Sequence, residues 1–272
     1  MKTVVVVRLL PTFFISFLVS HVPAARAGQV YSNGFNRPVG RTYPEWTSSP
    51  INYTSATQPP RHGTLPAPEV ATVESPNHAR RFLGEFGGPA IGKPGDAGWN
   101  RTRVEQTVSL ALRDLPAHAA LKVSFDLLIL KSWDGNSPAY GPDRWSVAVT
   151  GGPTLLATTF SNNPKVATEG SYQDYPKPQS APRTGAVSTG TLGYSEFFKD
   201  SIYGMQFTFP HSAKELRLDF QSSLFEGKGP ADESWGFANV VIETVPLAAM
   251  VAPKFCRTVR LPGGAAVGWQ RT

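Results

Sequence analysis

Residues 121–145, LKVSFDLLILKSWDGNSPAYGPDRW, join a strongly apolar strand-like segment to a loop of turn-forming and polar residues. The odd-numbered positions of 121–129 are all apolar, whereas the even-numbered positions change from polar to apolar at Leu128. Because successive side chains of a strand point to opposite faces, this pattern predicts a strand that is half buried at its start and fully buried at its end. The loop that follows contains two glycines and two prolines. Loops held by a rigid sheet often carry binding residues.

Shorter segments with the same alternation recur along the chain, separated by glycine and proline turns. They predict further strands at residues 30–35, 69–73, 80–86, 104–112, 145–149, 154–160, 202–209, 215–220 and 235–244. No segment shows a convincing helical period, which excludes a parallel α/β fold. The pattern predicts an all-β fold, an antiparallel jelly-roll β-sandwich of the lectin-like or galactose-binding-like kind.

Two connections have the composition of hairpin turns. A DLPAH segment joins the strand 104–112 to the strand that begins at Leu121, and a Gly-Gly-Pro turn joins the strands 145–149 and 154–160. Residues 161–194 are rich in proline and glycine and poor in apolar side chains. We expect this long segment to cover the sandwich without regular structure.

The amino end has the features of an export signal. A basic residue and two apolar runs precede Ala25 and Ala27, which place small side chains at positions −3 and −1 of a cleavage site. We therefore expect residues 1–27 to be a signal peptide and the protein to be secreted or extracellular. The apolar runs are shorter than the roughly 20 residues that a membrane span needs, so no span is expected in the mature chain. Residues 28–245 are expected to form one domain and residues 246–272 a disordered basic tail.

The net charge of +6 comes from the two ends of the chain. Seven basic residues lie in residues 1–27 and 253–272, which contain no acidic residue, and removing them leaves a charge of −1 for residues 28–252. A nucleic-acid-binding module would be expected to show a basic face in its folded part, so we exclude nucleic acid as a partner. The single cysteine, Cys256, cannot form a disulfide within the chain, and stability therefore depends on core burial.

Acidic and amide side chains concentrate in two places along the sequence. Asp134, Asn136 and Asp143 follow the strand at residue 121, and Asp232 and Glu233 precede the last predicted strand. Carboxylate and amide oxygens suit calcium, which takes six to eight oxygen ligands. The candidate ligands of a structural calcium ion are Asp134, Asp143, Asp232 and Glu233. The alternative is that these residues are solvated or cap turns.

Aromatic residues near the same loop are candidate platforms for a sugar ring, because an aromatic face offers apolar area to the C–H face of a pyranose. Trp145 shares a face with apolar neighbours and Trp235 opens a buried strand, so core packing is favoured for both. Trp133 and Tyr140 are the predicted exposed pair, and Asn136 is the predicted polar ligand-binding residue. Anchoring of the loop on the sandwich is the alternative for both aromatic residues.

An enzymatic function requires a nucleophile or an acid and base pair. The chain contains no Gly-x-Ser-x-Gly motif, and His118 and His211 are predicted to be turn residues. Glu85 and Asp143 would serve glycoside hydrolysis if their carboxyl groups stood at a catalytic separation. We therefore favour a protein without catalytic residues and keep an enzyme as the alternative.

Several blocks together resemble a family of secreted bacterial β-sandwich proteins. The most specific parts are SWDGN at residues 132–136 and DESWG at residues 232–236, and the resemblance covers residues 80–243. It implies an exported lectin-like or carbohydrate-binding-like jelly roll. Relatives commonly hold a structural calcium through acidic residues at the positions of Asn36 and Ala238, so the resemblance implies that this particular site is weakened here.

Many of these relatives also end in a sorting signal of the PEP-CTERM type. The corresponding apolar segment of this chain, LAAMVA after Pro246, is too short to span a membrane, so retention at the surface is not expected. We expect a secreted, monomeric, non-enzymatic protein that binds a glycan or another extracellular surface. The alternatives are a secreted carbohydrate-active enzyme, either a glycoside hydrolase or a lyase, and a purely structural surface protein.

Overall fold

The computed structural model describes residues 27–55, 61–91, 101–195, 198–225 and 228–246. The predicted signal peptide up to residue 26 and the predicted tail beyond residue 246 lie outside the described residues. The described residues form these strands: β1 (Gly28–Asn33), β2 (Trp46–Ser48), β3 (Ile51–Ser55), β4 (Arg61–Leu65), β5 (Thr72–Glu74), β6 (Arg81–Phe86), β7 (Thr102–Leu112), β8 (Ala120–Lys131), β9 (Arg144–Val149), β10 (Thr154–Thr159), β11 (Ser188–Thr189), β12 (Asp200–Pro210), β13 (Leu216–Leu224) and β14 (Glu233–Val245). A four-residue helix, α1 (Val166–Glu169), and a 3-10 turn, Gly229–Ala231, complete these elements.

The strands pair in two antiparallel seven-stranded sheets. The first sheet has the order β11-β12-β8-β14-β6-β5, with β1 paired to β14. The second sheet has the order β10-β9-β13-β7-β3-β4, with β2 paired to β7. The two sheets pack face to face, so the predicted all-β antiparallel jelly-roll sandwich is confirmed. Among the described residues, no helix has the length and apolarity that a membrane crossing requires.

One predicted hairpin is confirmed and the other is wrong. Strands β9 and β10 pair through the Gly-Gly-Pro turn as predicted. Strand β7 pairs with β13, β3 and β2, whereas β8 pairs with β12 and β14 in the other sheet. The DLPAH segment therefore crosses from one sheet to the other. Alternation in a sequence records only which residues face a core, and both sheets share one core, so it does not reveal the pairing partner.

The core lies between the sheets and is dominated by aromatic residues. Phe220 of the second sheet and Phe237 of the first have ring centroids 4.6 Å apart, and the Trp145 and Trp235 centroids are 6.1 Å apart. Trp145 and Trp235 are buried, as predicted. Aromatic pairs of this kind contribute about 0.5–1.5 kcal/mol each beyond their buried area.

A second, smaller core lies on the outer face of the first sheet. Leu128 and Leu130 of β8 pack there with Leu192 and Tyr194, which belong to the long segment before β12. The change from polar to apolar residues along the even positions of β8 is explained by this cover. Residues 161–194 cover the sandwich as predicted, but the expectation that they have no regular structure is wrong, because α1 and β11 lie within them.

Candidate functional site

The loop after β8 lies inside the protein rather than on its surface. Trp133 has no exposed area, and its indole N–H donates a hydrogen bond of 2.8 Å to the backbone carbonyl of Ser234. The expectation that the Trp133 ring is exposed for sugar binding is therefore wrong. The segment that buries the end of β8 also extends over the loop that follows it. Residues 160–175 pack over this loop and bury Trp133. A Cβ atom added to Gly135 would lie 2.2 Å from the Tyr172 carbonyl oxygen.

The other two predicted ligand-binding residues differ in their contacts. Tyr140 is 38% exposed, as predicted, and its backbone N–H donates to Ser137 Oγ. Asn136 is half buried and has no free amide group, because its Nδ2 donates to Asp174 Oδ1 at 2.9 Å and its Oδ1 accepts from Thr159 Oγ1 at 2.8 Å. Asn136 therefore fixes the Asp174 carboxylate in position.

Three of the four predicted metal ligands come together. Asp134, Asp143 and Glu233 are all buried, and one carboxylate oxygen from each lies within 4.8 Å of the other two. Asp143 also accepts hydrogen bonds from the backbone N–H groups of Asp134 at 2.5 Å and Phe225 at 3.2 Å. Burial and then the negative charge of Asp134 raise the pKa of Asp143 well above its ordinary value. The three carboxyl groups are called the acidic cluster below.

Asp232, the fourth predicted ligand, is not a member of the acidic cluster. Its carboxylate accepts a hydrogen bond from Ser132 Oγ and lies 3.2 Å from the ammonium nitrogen of Lys228. Neighbouring residues at the start of a strand direct their side chains differently, so the adjacent positions Asp232 and Glu233 reach different partners. The prediction that all four carboxylates meet is wrong for this residue.

An open groove of about 360 Å³ lies on the outer face of the second sheet. Its polar lining consists of Glu105, Arg144, Ser146, Thr158, Thr159, Asp174, Gln221 and Ser223. None of the three predicted ligand-binding residues lines it, although Asn136 positions the Asp174 side chain that does. This set of polar side chains is called the outer groove below.

Strand register brings the residues of the outer groove together. Ser223 of β13 lies opposite Glu105 of β7 on one side and Arg144 of β9 on the other. One position along the same face, Gln221 lies opposite Ser146. Adjacent strands are about 4.8 Å apart, so these rows put donors and acceptors at regular spacing across the groove. The alternating polar positions of β7, β9 and β13 were a signal in the sequence, but they are equally typical of an ordinary solvated face.

Two hydrogen bonds support the floor of the outer groove at Ser223. Arg103 donates from Nη1 to Ser223 Oγ at 3.0 Å, and Ser223 Oγ is 3.4 Å from Glu105 Oε1. The Arg103 guanidinium also lies 5.4 Å from the centroid of the Phe225 ring. Arg144 is exposed above this floor. The groove therefore offers an arginine donor, two carboxylate acceptors and neutral groups that do both.

The carboxylate pair considered for glycoside hydrolysis is not in the outer groove. Asp143 has no exposed area. Glu85 accepts hydrogen bonds from Tyr194 at 2.6 Å, Ser234 at 2.7 Å and the Lys131 ammonium at 3.0 Å. Glu85 is thus held by three donors in a partly buried network and is not directed at an open cleft.

No protein-family model and no curated protein sequence matches the chain. Several solved structures are similar to it. A carbohydrate-binding module studied for specific mannan recognition, TmCBM27, is 13% identical with a TM-score of 0.40, over 81% of this chain and 99% of that chain. The dimeric latent PorU of Porphyromonas gingivalis is 13% identical with a TM-score of 0.34, over 75% of this chain and 13% of that chain.

An exo-β-1,3-galactanase of Phanerochaete chrysosporium is also similar, with 10% identity and a TM-score of 0.26, over 72% of this chain and 28% of that chain. At these TM-scores the similarities carry no argument about function, and the fold assignment depends on the strand pairing itself. Membership of a family with PEP-CTERM-type relatives stays a prediction.

Proposed function

We propose that the protein is a secreted glycan-binding protein whose binding site is the outer groove. The observation that carries this proposal is the row of polar side chains across β7, β13 and β9, at a volume within the roughly 300–1,000 Å³ of ligand sites. Sugars present many hydroxyl groups, and each hydroxyl both donates and accepts. Glu105 accepts hydrogen bonds, Arg144 donates them and Gln221 does both, so together they match the hydroxyl groups of a sugar.

Charged groups make the stronger hydrogen bonds in such a site. An arginine donates through several N–H groups in one plane, and a carboxylate accepts through two oxygens, so Arg144 and Glu105 can each engage two neighbouring hydroxyls of one sugar. Asp174 adds a second carboxylate, which Asn136 and the backbone N–H of Gln179 hold in place. The site is thereby organised before a ligand arrives, which lowers the entropic cost of binding.

Titration calorimetry against a panel of soluble polysaccharides tests the proposal. We expect one class of glycan to bind, and Arg144→Ala or Gln221→Ala to weaken that binding at least about fivefold, which corresponds to one lost hydrogen bond of about 1 kcal/mol. Arg217→Ala is the matched control, because Arg217 is an exposed arginine on the same sheet that does not line the groove. An equal loss of affinity in all three variants, or no binding to any glycan, would contradict the assignment of the outer groove as a glycan-binding site.

The second candidate function is that of a glycoside-cleaving enzyme, because the groove contains two carboxylates, Glu105 and Asp174, and such enzymes use a carboxylate pair. The same polysaccharides are therefore incubated with the protein and analysed for new reducing ends or unsaturated products. Product formation that disappears in Glu105→Gln would replace the binding function with a catalytic one. Binding without product supports the first proposal.

We also propose that calcium stabilises the acidic cluster. Its oxygen donors fit that ion, and three carboxylates this close in a buried site need either a cation or bound protons to offset their repulsion. A calcium ion bound by Asp134, Asp143 and Glu233 would hold the loop after β8 to the start of β14 as a structural ion. Melting curves in calcium and in EGTA test this, and we expect calcium to raise the melting temperature by several degrees.

Asp143→Asn is the diagnostic variant for the cluster. If calcium is bound, the variant loses the difference between calcium and EGTA. If the native curves superimpose at millimolar calcium, protons neutralise the cluster and the calcium proposal fails. Export and a monomeric state are proposals as well, and amino-terminal sequencing and light scattering of the protein recovered from culture medium test them.

A further inference from the structure

His118 and His211 lie on two different connections at one end of the first sheet. His118 belongs to the β7–β8 loop, residues 113–119, and His211 begins the β12–β13 turn, residues 211–215. Strands β8 and β12 pair up to Ala120 and Pro210, so the two histidines stand just beyond the last paired residues. The backbone N–H of His211 donates to the carbonyl of Ala119 at 3.1 Å.

The two imidazole rings meet through their nitrogen atoms. His118 Nε2 is 2.7 Å from His211 Nδ1, the ring planes differ by 9° and the ring centroids are 5.0 Å apart. The nitrogens are too close for rings stacked one above the other, and the centroid distance exceeds the nitrogen distance by about two ring radii. The rings are therefore nearly coplanar, with the two nitrogens facing each other directly.

A hydrogen atom must lie between two nitrogens at this distance, because two facing lone pairs would repel. The other nitrogen of His118, Nδ1, is 2.6 Å from the carbonyl oxygen of Pro116, which can only accept. His118 Nδ1 therefore carries a proton. Burial and then the charge of His118 lower the pKa of His211, outweighing a hydrogen bond with the backbone of Glu215 that raises it, so the neutral form of His211 is favoured.

We propose that a neutral His211 donates its Nδ1 proton to Nε2 of a neutral His118, and that this N–H···N bond links the β7–β8 loop to the β12–β13 turn until protonation of the pair in acid breaks it. The head-on arrangement fits a hydrogen bond better than a chelated metal ion, whose two nitrogen ligands must both point at a third centre. The backbone N–H of Leu115 donates to the Lys214 carbonyl at 2.9 Å and forms a second link between the same segments.

The neutral hydrogen bond predicts stability that is lost in acid. A further proton on the pair would place N–H groups on both facing nitrogens, which repel, so protonation is disfavoured in the folded protein. Because the folded pKa of His211 is lowered, its contribution is present above the unfolded value of about 6.5 and is lost as the pH falls below that value.

Other charged groups occur on the elements around the histidine pair. They are Arg113 and Asp114 on the β7–β8 loop, Lys214 and Glu215 on the β12–β13 turn, and the ion pair of Lys122 with Glu243 on β8 and β14. All of them remain in variants of the histidines. A comparison with such variants therefore removes their contribution from the measured pH dependence.

The test compares the melting temperatures of the native protein, His118→Gln, His211→Asn and the double variant from pH 4.5 to 9. We expect the native protein to exceed each variant by about 2–4 °C above pH 7, with the difference shrinking as the pH falls below about 6.5. His62→Gln, which changes a histidine on β4, should show no such dependence. Since the outer groove lies toward the opposite ends of β7 and β13, ligand binding there should not change.

Nuclear magnetic resonance of the native protein gives a second readout that does not depend on the variants folding. Nitrogen-15 signals that show both rings neutral and protonated at Nδ1 at pH 7.5 would support the proposal. A positively charged ring at that pH, or a difference from the variants that peaks near pH 6.5 and shrinks above it, would overturn the neutral pair.

Discussion

The indole N–H of Trp133 and the backbone carbonyl of Ser234 form a hydrogen bond of 2.8 Å between the end of β8 and the start of β14. The Trp133 ring is fully buried and also contacts Phe160 edge to face, with centroids 6.4 Å apart. We expect Trp133→Ala to reduce the free energy of unfolding by about 3–5 kcal/mol, because it leaves a cavity in addition to losing buried area. Trp133→Phe keeps part of the packing and should cost less.

Urea unfolding measures both values, and glycan binding supplies the functional readout. Folded Trp133→Phe should bind as the native protein does, since the ring does not line the outer groove. A stable Trp133→Ala variant with lost binding would show instead that the buried ring positions the loop, and with it Asn136 and Asp174, for binding.

Alternation in the sequence was sufficient to predict the fold, because burial between two sheets repeats every second residue. It was sufficient for β8, β9, β13 and β14, and it failed for β2–β4 within residues 46–65, where polar side chains dominate. β2 and β3 exist because β7 offers them backbone partners, and β4 exists because it pairs with β3, not because their own side chains alternate. Partner choice, as for β7 and β8, depends on contacts far apart in sequence.

Prediction of the site from the sequence was less successful, for a related physical reason. Turn-forming residues indicated a surface loop around Trp133, but the cover provided by residues 160–175 cannot be read from the loop itself. The acidic cluster was partly predicted, since carboxylates adjoining two buried strands can meet at one end of a sandwich. The outer groove was missed because Glu105, Arg144 and Gln221 lie on three strands whose order in the sheet cannot be read from the sequence.

Lys131 and Glu85 form the charged part of a partly buried network. The ammonium nitrogen lies 3.0 Å from Glu85 Oε2 and 5.1 Å from the centroid of the Tyr194 ring, and it also donates to the Pro230 carbonyl. Removal of one partner of a buried pair costs about 3–5 kcal/mol. Because the Glu85 side chain is 22% exposed, we expect Lys131→Met to cost an amount near the lower end of that range.

The double variant Lys131→Met with Glu85→Gln tests the origin of that cost. It should be more stable than Lys131→Met alone, because no carboxylate is then left without its cation. Chemical denaturation of the native protein, Lys131→Met, Glu85→Gln and the double variant gives the coupling energy. Additive effects of the two substitutions would show that the pair does not interact.

We expect Asp219 on β13 to make the stability of the folded protein depend on pH in the acidic range. Burial raises its pKa, but hydrogen bonds from Ser109 Oγ at 2.6 Å and Thr150 Oγ1 at 2.5 Å, together with Arg217, lower it below the ordinary value. A group with a lowered folded pKa contributes stability above its unfolded pKa of about 3.9 and loses it as the pH falls through the folded value.

Asp219→Asn should therefore be less stable than the native protein at pH 7, and the difference should shrink below about pH 4. Thermal melts between pH 2.5 and 7 measure the difference. A gap that stays constant over this range would mean that the carboxylate charge contributes nothing and that only the shape of the side chain matters.

Asn136 connects the interior loop to the outer groove, and its substitution separates positioning from direct contact. Its amide donates to Asp174 Oδ1, and its carbonyl accepts from Thr159. Asn136→Asp keeps the size of the side chain but sets a second negative charge against Asp174, so the Asp174 carboxylate should move. We expect the glycan affinity of Asn136→Asp to fall about fivefold or more, which is equivalent to one hydrogen bond of about 1 kcal/mol.

Tyr140→Ala is the control, because Tyr140 is exposed and lies outside the groove lining, so this variant should bind normally. Calorimetry measures the affinity of both variants. A loss of binding in Tyr140→Ala with none in Asn136→Asp would place the ligand on the loop and not in the groove.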